Sequence, residues 1–418
     1  MTTSMTAIPL GHARRTETAA ITTPRAGQLA ANDTRRLALL GSIVVSFLAA
    51  SAAPTPLYQH YNAVWHGTAL TTTTAFAIYA GAVLVGLLTL GEVSNHVGRR
   101  PVLLGSLGAQ AVAVGLFATA GSFTPLFVGR VIQGIAAGAA LGTLGAGMID
   151  AHRTRGTILS AATPGVGTGL GALLAGLLVS YLPWPTHLVY LALIVVFAAQ
   201  AYGVARLPET GTRSAGLLAA FRPRISVPAP ARTTFLAVSP VLFAVWALPG
   251  FYGSLGPALT RQLAHSQSAA LGGLPLFILA GVASVSILVL RDRGAAQMMA
   301  IGVAALVAGV VATAAAISTG SVAGYLVATA VAGIGFGSGL QGGIRTVVPL
   351  ASPDQRPGLL SAVYLVSYTG MGLPAVIAGL LVSRGLDLRH VAIGYALALL
   401  LLALAAGVSL ALPRLRRR

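Results

Sequence analysis

Long apolar runs recur along the whole chain and are separated by short polar segments. Each run has about 18 to 25 residues, which is enough for an α-helix to cross a hydrocarbon layer of ~30 Å. The strands of a membrane β-barrel would be shorter and would alternate apolar with polar residues. The pattern therefore predicts an all-α membrane protein with twelve transmembrane helices, at 37–57, 69–90, 101–120, 125–148, 157–180, 186–206, 233–255, 270–290, 295–317, 321–343, 357–383 and 390–412.

An internal repeat relates the two halves of the chain. The hexapeptide AGLLVS occurs at 175–180, near the end of the fifth helix, and again at 378–383, near the end of the eleventh. Earlier in the same two helices, RGTILSA at 155–161 corresponds to RPGLLSA at 356–362. Matches in the same order, six helices apart, predict two pseudo-symmetric six-helix bundles. Folds of this kind place a substrate between the halves, near the middle of the membrane.

The repeat and the polar segments divide the chain into five parts. We expect a disordered tail at 1–36, an N-terminal bundle at 37–207, a linker at 208–232, a C-terminal bundle at 233–412 and a basic tail at 413–418. The lipid bilayer is then the main partner of the chain, and we expect a monomer.

Composition and charge agree with the membrane assignment and predict an orientation. The chain is 56% hydrophobic and 8% charged, and its mean hydropathy is +0.83. The formal net charge is +18, and all basic residues except Arg130, Arg261, Arg384 and Arg389 lie in the tails and in one set of alternate loops. The positive-inside rule places these segments, and both termini, in the cytoplasm of a cell with the chain in its inner (plasma) membrane. Because the arginines are not gathered on a soluble face, a nucleic-acid partner is excluded.

The sequence offers no recognisable cofactor, metal or catalytic site. It contains no cysteine and no lysine, which excludes thiolate metal sites and a Walker-type phosphate loop. Its eight histidines are scattered through tails and loops without the i, i+4 spacing of a helical metal pair. We therefore expect no cofactor, no bound metal and no enzymatic activity.

The loop between the second and third helices reads GEVSNHVGRR. It resembles the signature G-x-x-x-D-R-x-G-R-R of the major facilitator superfamily, and four positions are in register: Gly91, Gly98, Arg99 and Arg100. Asn95 stands where the family has aspartate, and His96 stands where it has arginine or lysine. The resemblance implies that this loop acts as a latch that closes the cytoplasmic side.

The departure at Asn95 limits the chemistry of such a latch, because an amide carries no fixed negative charge. An ionic latch then needs Glu92 or Asp150 as its carboxylate. The candidate partners are the nearby arginines: Arg99, Arg100, Arg153 and Arg155.

The fourth helix contains LFVGRVIQG, which resembles the superfamily pattern L-x-x-x-R-x-x-Q-G through Arg130, Gln133 and Gly134. An arginine inside a membrane helix is costly in lipid, so it should face the bundle or a water-filled cavity. Arg130 and Gln133 share one helical face. In the resembled antiporters this arginine takes part in proton coupling. A purely structural role, in which it ties helix ends together, stays open.

The glycine-rich fifth helix resembles the antiporter motif, although Ala172 follows Gly171 where that motif has a Gly-Pro step. Together the motifs are closest to those of the twelve-helix drug:proton antiporter-like branch of the superfamily. Close packing of small residues is common in any membrane bundle, and it is the alternative explanation of these glycines.

A substrate cavity is predicted from the seventh helix and from polar or aromatic positions elsewhere. Pro249-Gly250 and Gly256-Pro257 are expected to interrupt the seventh helix. An apolar pocket with a few hydrogen-bonding groups is enough to orient a small organic molecule. The candidate lining residues are Tyr79, Thr163, Thr168, Trp246, Phe251, Tyr252, Gln341, Tyr364, Ser367 and Tyr368. Packing within a bundle is the alternative for each aromatic residue.

Acidic residues limit the coupling mechanism. The chain has eight, and none lies in the middle of a predicted span. Proton-coupled carriers often use a carboxylate inside the membrane, so proton antiport, uncoupled facilitation and coupling through substrate charge all stay open. The resemblance implies secondary transport of small organic molecules by alternating access. Efflux is the first hypothesis, uptake of a sugar-like or organic-acid metabolite is the second, and a transport-inactive sensor or scaffold is the third.

Overall fold

The computed structural model describes residues 26–209, 211 and 217–415, and the regular elements in these ranges are all helices. The N-terminal half contains α1 (Ala26–Ala52), α2 (Tyr58–Val64), α3 (Ala69–Leu90), α4 (Ser94–Val97), α5 (Arg99–Ala118), α6 (Phe123–Ala151), α7 (Arg153–Tyr181) and α8 (Pro185–Ala205). The remainder contains α9 (Leu217–Ala220), α10 (Arg232–Ser254), α11 (Gly256–Ala264), α12 (Ala269–Val289), α13 (Ala295–Ser318), α14 (Val322–Val347), α15 (Arg356–Ser383) and α16 (Leu388–Leu415).

Twelve helical segments of the described residues are long and apolar enough to cross a membrane, which confirms the predicted number. The first segment continues to Val64, because a short 3-10 turn at Thr55–Leu57 carries α1 into α2. Helix α1 begins at Ala26, so the end of the predicted disordered tail is helical, since alanine, leucine and arginine favour helix. Residues 1–25 and 416–418 of the two predicted tails lie outside the described residues.

Each half of the chain builds its own buried core, and the predicted fold of two six-helix bundles is confirmed. In the N-terminal bundle, Phe47 of α1 meets Phe197 of α8 edge to face, with ring centroids 5.7 Å apart. In the C-terminal bundle, Val245 of α10 and Leu306 of α13 belong to one fully buried cluster. Lipid tails are as apolar as these side chains, so the bundles are held by close packing rather than by escape from water.

The arginine-rich loops lie together at one end of the molecule, which we call the basic end. Glu209 of the linker accepts a hydrogen bond from the backbone N–H of Arg99, where α5 begins. Arg345 near the end of α14 donates to the backbone carbonyl of Arg291, in the loop after α12. The loops between the other helix ends, including those before α3 and α12, form the opposite end.

The most extensive contacts between the bundles are those of α3 with α15 and of α7 with α12. At the opposite end, the Ser180 hydroxyl oxygen accepts from the backbone N–H of Ala270, at 3.0 Å. In the symmetric place, the Ser383 hydroxyl oxygen accepts from the N–H of Leu70, at 2.8 Å. The first N–H groups of a helix have no partner within that helix, so each serine caps a helix of the other bundle. These serines are the last residues of the two AGLLVS copies.

Replacing both serines, Ser180→Ala with Ser383→Ala, should favour separation of the bundles at the opposite end. Each lost hydrogen bond is worth about 1 kcal/mol, so the separated population should rise by up to roughly 30-fold. A cysteine at buried Thr73, in a chain that contains no other cysteine, reports the separation through its labelling rate with a water-soluble maleimide.

Ser318→Ala is the matched control, because the Ser318 hydroxyl donates only to a carbonyl of its own helix, that of Ala314. Equal labelling rates in the double variant and in the control would contradict a sealing role for the two serines.

Candidate functional site

Arg130 is fully buried inside the N-terminal bundle. Its Nη1 donates to the backbone carbonyl of Ser51 and to Oε1 of Gln133, each at 2.8 Å. Its Nε and Nη2 donate to the Tyr58 hydroxyl, at 3.1 and 2.5 Å. Among the described residues no carboxylate pairs with it. A buried cation is therefore held by neutral acceptors on α1, α2 and α6.

Aromatic rings complete the surroundings of this cation. The guanidinium carbon lies 5.4 Å from the ring centroid of Tyr79 and 5.7 Å from those of Tyr58 and Phe117. Ring faces attract a cation, and the attraction grows when both partners are desolvated. Gly134 brings Tyr79 into place, because a Cβ at Gly134 would lie only 2.8 Å from the Tyr79 carbonyl oxygen. The structure thus unites the three motif residues of the fourth span with Tyr79.

Gln133 has hydrogen-bonding capacity left over. Its side-chain oxygen serves Arg130, and its backbone carbonyl accepts from Gln110 Nε2 at 3.2 Å. Its own Nε2 is buried and has no acceptor among the described residues. Likewise, Gln110 Oε1 is buried and has no donor among them. Unpaired buried polar atoms are unfavourable, so this corner of the bundle can accommodate a change in its hydrogen bonds.

A second group of aromatic side chains lies between the bundles, and we call it the aromatic cluster. It consists of Trp246 on α10, Phe336 on α14, and Tyr364 and Tyr368 on α15. The Trp246 ring is 4.8 Å from Tyr368 and 6.1 Å from Phe336, and Tyr364 is 6.5 Å from Tyr368. Trp246 packs against both bundle cores. Its indole Nε1 is buried without an acceptor among the described residues.

A cavity of about 160 Å³ opens at the basic end and reaches the aromatic cluster. Tyr364 lines it, so the cavity and the cluster share a side chain. The other lining residues come from α3 and the turn that follows it, from the linker and from α15: Leu87, Leu88, Gly91, Glu92, Ala220, Arg222, Arg224, Pro357, Leu360 and Ser361. Between the basic end and Tyr364 the bundles are therefore apart, whereas at the opposite end Ser180 and Ser383 hold them together.

Some predicted cavity residues lie elsewhere. Helix α10 continues through Pro249 to Ser254, so the expected break at Pro249-Gly250 is wrong, and the chain turns only before α11. A proline is tolerated inside a membrane helix when neighbouring helices satisfy the backbone groups that it leaves without a hydrogen bond. The unbroken helix directs Phe251 and Tyr252 away from Trp246, into the C-terminal bundle. There Tyr252 bonds to hydroxyls of α13 and α14, and Phe251 packs on Tyr395 at 5.0 Å.

The remaining candidates are separate from the cluster or serve their own helices. The hydroxyls of Thr163 and Thr168 donate to carbonyls of α7, those of Leu159 and Pro164. Gln341 is half-buried on α14. Ser367 is fully buried on α15, and its hydroxyl has no partner among the described residues.

The loop motif forms its ion pair within one bundle. Arg99 at the start of α5 pairs with Asp150 at the end of α6. Asn95 and Arg100 are exposed, as are Arg153 and Arg155 at the start of α7, while Glu92 is half-buried at the cavity. The ion pair therefore ties two helices of the N-terminal bundle to each other at the basic end, and it does not cross to the other bundle.

Glu209 is a site residue to which the sequence motif gave no role. Its two carboxylate oxygens accept from the backbone N–H groups of Arg99 and Arg100, at 2.9 and 3.0 Å. A negative charge at a helix N-terminus is favourable. Gly98 directs the chain into this helix with φ of 103°, a conformation that suits glycine. Glu209 comes from the linker, so no local spacing could have connected it with the motif.

Two helical bundles with a cavity between them that opens at one end, and with contacts that close the other end, form the architecture of secondary membrane transporters. A family model described as Major Facilitator Superfamily matches residues 37–372, and the chain belongs to this family. It is a membrane transporter rather than an enzyme.

Solved structures share the fold. The nucleoside transporter NupG superimposes with a TM-score of 0.68 at 14% identity, over 91% of this chain and 99% of that chain. A bacterial homologue of the human lysosomal transporter Spinster, in an inward-facing and unoccupied conformation, gives a TM-score of 0.68 at 16% identity, over 90% and 96% of the two chains. At these identities the likeness is one of fold.

Replacing Asn95 by aspartate should favour closure of the basic end. Arg99 is already paired with Asp150, whereas Arg222 and Arg224 of the linker line the cavity together with Glu92, three residues before Asn95. An ion pair from residue 95 to one of these linker arginines would draw the two sides of the cavity together. An exposed ion pair is worth about 0.2–1 kcal/mol, and labelling of a cysteine at Leu360 should slow by roughly 1.5- to 5-fold.

Asn95→Gln, which keeps the amide, is the control for this substitution. If Asn95→Asp and Asn95→Gln are labelled equally fast, and their transport kinetics agree, the loop does not act as a charge-dependent latch.

Proposed function

We propose that the chain exports small organic molecules from the cytoplasm by alternating access, with protons as the counter-transported ion. The basic end is the cytoplasmic end, as the positive-inside rule requires, and the membrane is the plasma membrane. The observation that carries the proposal is the aromatic cluster at the bundle interface, which a cavity connects to the basic end. An exporter takes up its substrate from the cytoplasm in a conformation of this kind, in which the interface is open at the cytoplasmic end.

The coupling step is assigned to Arg130, the residue that matches the antiporter pattern. Its guanidinium holds Ser51 of α1, Tyr58 of α2 and Gln133 of α6 at once. Because the spans contain no carboxylate in their middle, protonation cannot act through an acid in direct contact with this cation. Any influence of Glu92 or Asp150 on Arg130 would therefore pass along α3, which carries Tyr79, and α6, which carries Arg130 itself.

Uptake of a sugar-like or organic-acid metabolite is the second candidate. The fifth span lacks the Gly-Pro step of the antiporter motif, since Ala172 follows Gly171, and α7 runs without interruption through this region. This feature favours uptake over export. A sensor or scaffold that binds without transport is the third candidate, and the departure at Asn95 is what favours it.

Transport in proteoliposomes separates the three candidates. Purified protein is reconstituted, and a panel of small organic compounds is tested with and without an imposed pH gradient, in vesicles whose protein orientation has been determined by labelling. Export coupled to protons predicts flux from the basic end toward the opposite end that increases when the opposite side is acidic. Flux in the other direction would favour uptake, and specific binding without any flux would favour the sensor.

Arg130→Lys and Arg130→Ala test the coupling role. A lysine keeps the charge but cannot serve three acceptors with the geometry of a guanidinium. We expect both variants to lose gradient-driven transport by at least about tenfold while exchange of substrate without a gradient persists.

Tyr58→Phe is the matched variant, because it keeps the ring and removes the hydroxyl that accepts from Nε and Nη2. We expect an intermediate loss. Equal loss of driven transport and of exchange would indicate a structural role for Arg130, and normal driven transport at normal expression would remove it from the mechanism.

A further inference from the structure

We propose that the aromatic cluster binds small aromatic compounds that carry a hydrogen-bond acceptor, that it prefers anionic ones, and that it rejects organic cations. Aromatic carboxylates are the class that fits best, and the matching neutral amides come next. This inference rests on the proposed function because it concerns the same site, the aromatic cluster. It is tested by binding rather than by transport.

Shape and surface select the aromatic part of the ligand. Trp246, Phe336, Tyr364 and Tyr368 present ring faces and edges at the interface, and three of them are only half-buried. Aromatic pairs prefer offset or edge-to-face contacts with centroids about 4.5–7 Å apart. A flat ring in the cavity can make such contacts with Tyr364, and the rings of Tyr368 and Trp246 follow Tyr364 into the interface.

Hydrogen-bonding capacity selects an acceptor. The indole N–H of Trp246 can only donate, and it is buried without an acceptor among the described residues. The Ser367 hydroxyl, on the same helix as Tyr364 and Tyr368, is also buried without a partner. A ligand oxygen can satisfy the indole N–H, whereas an ammonium group brings only donors.

Charge selects against a cation. Among the described residues, the one carboxylate that lines the cavity is that of Glu92, at the basic end, and no acidic residue lies in the middle of a span. A ligand cation that is desolvated deeper in the interface would be separated from this counter-charge. Arg130 lies behind Tyr79, with its guanidinium carbon 5.4 Å from that ring. Tyr79 in turn belongs to the same buried core as Tyr368, so the buried charge on the N-terminal side of the cluster is that of a cation.

The mouth of the cavity has the same bias. Arg222 and Arg224 of the linker line it together with Glu92, so two positive charges face one negative charge where a ligand enters. A charged cleft raises the local concentration of ions of the opposite sign. Attraction at the mouth and the unpaired donor at the cluster therefore both favour an anionic acceptor.

Three probes that share one skeleton test the proposal: phenylpropionate, phenylpropionamide and phenylpropylamine. Binding to the purified full chain in lipid nanodiscs is measured by isothermal titration calorimetry. We expect the carboxylate to bind most tightly, the amide to bind more weakly, and the amine to bind at least about tenfold more weakly than the carboxylate. An amine that binds as tightly as the carboxylate, or the absence of binding by all three at millimolar concentration, would overturn the proposal.

Two variants locate the binding. Trp246→Phe keeps an aromatic ring and removes the N–H, and it should weaken carboxylate and amide binding about fivefold. Trp184→Phe is the control, because Trp184 is exposed in the loop between α7 and α8, at the opposite end. Arg222→Gln with Arg224→Gln should weaken the carboxylate and leave the amide unchanged. Equal affinities in Trp246→Phe and Trp184→Phe would show that the cluster is not the site.

The binding result and the transport result are separable. Selective binding of phenylpropionate without flux would overturn the proposed export and leave the ligand class standing. Flux of organic cations, together with failure of phenylpropionate to bind, would overturn the ligand class and leave transport standing.

Discussion

A backbone N–H group in hydrocarbon has no water to bond to, and this constraint governs the architecture of the chain. Within a helix the groups satisfy one another, which is why the described elements are helices. The first N–H groups of each helix remain, and in two places they are satisfied across the bundle interface. Ala270 and Leu70 obtain their acceptors from Ser180 and Ser383 of the other bundle, so the same rule that forms the helices also joins the halves.

The same constraint gives a buried charge its importance. Arg130 is surrounded by hydroxyl, amide and carbonyl oxygens and by three aromatic rings. Neutral acceptors and ring faces stabilise a guanidinium without fixing it as a carboxylate would, because each contributes only part of a counter-charge. The cation is thus compatible with more than one arrangement of α1, α2 and α6. That property suits a protein whose helices must change partners during a working cycle.

Sequence reasoning succeeded where the signal is local. The spans follow from runs of apolar residues, and burial of Arg130 follows from the cost of a charge in lipid. It failed where the outcome depends on neighbours that are distant in sequence. Pro249 was expected to break its helix, yet α10 passes through it and turns Phe251 and Tyr252 into the C-terminal bundle. Glu209 reaches the start of α5 from the linker, a contact that no motif or spacing encodes.

The two serine contacts also determine how the halves can move. Ser180 of one half meets the second residue of a helix in the other, and Ser383 does the same in return, as in the isologous interface of a twofold dimer. The two halves are thus related, in these contacts, like the two subunits of a symmetric dimer joined by a linker. A sideways slide of one half along the other would strain one contact before its twin, whereas a tilt about the line that joins the two contacts would leave both in place. The two contacts are therefore compatible with a narrowing of the basic end while the opposite end stays closed.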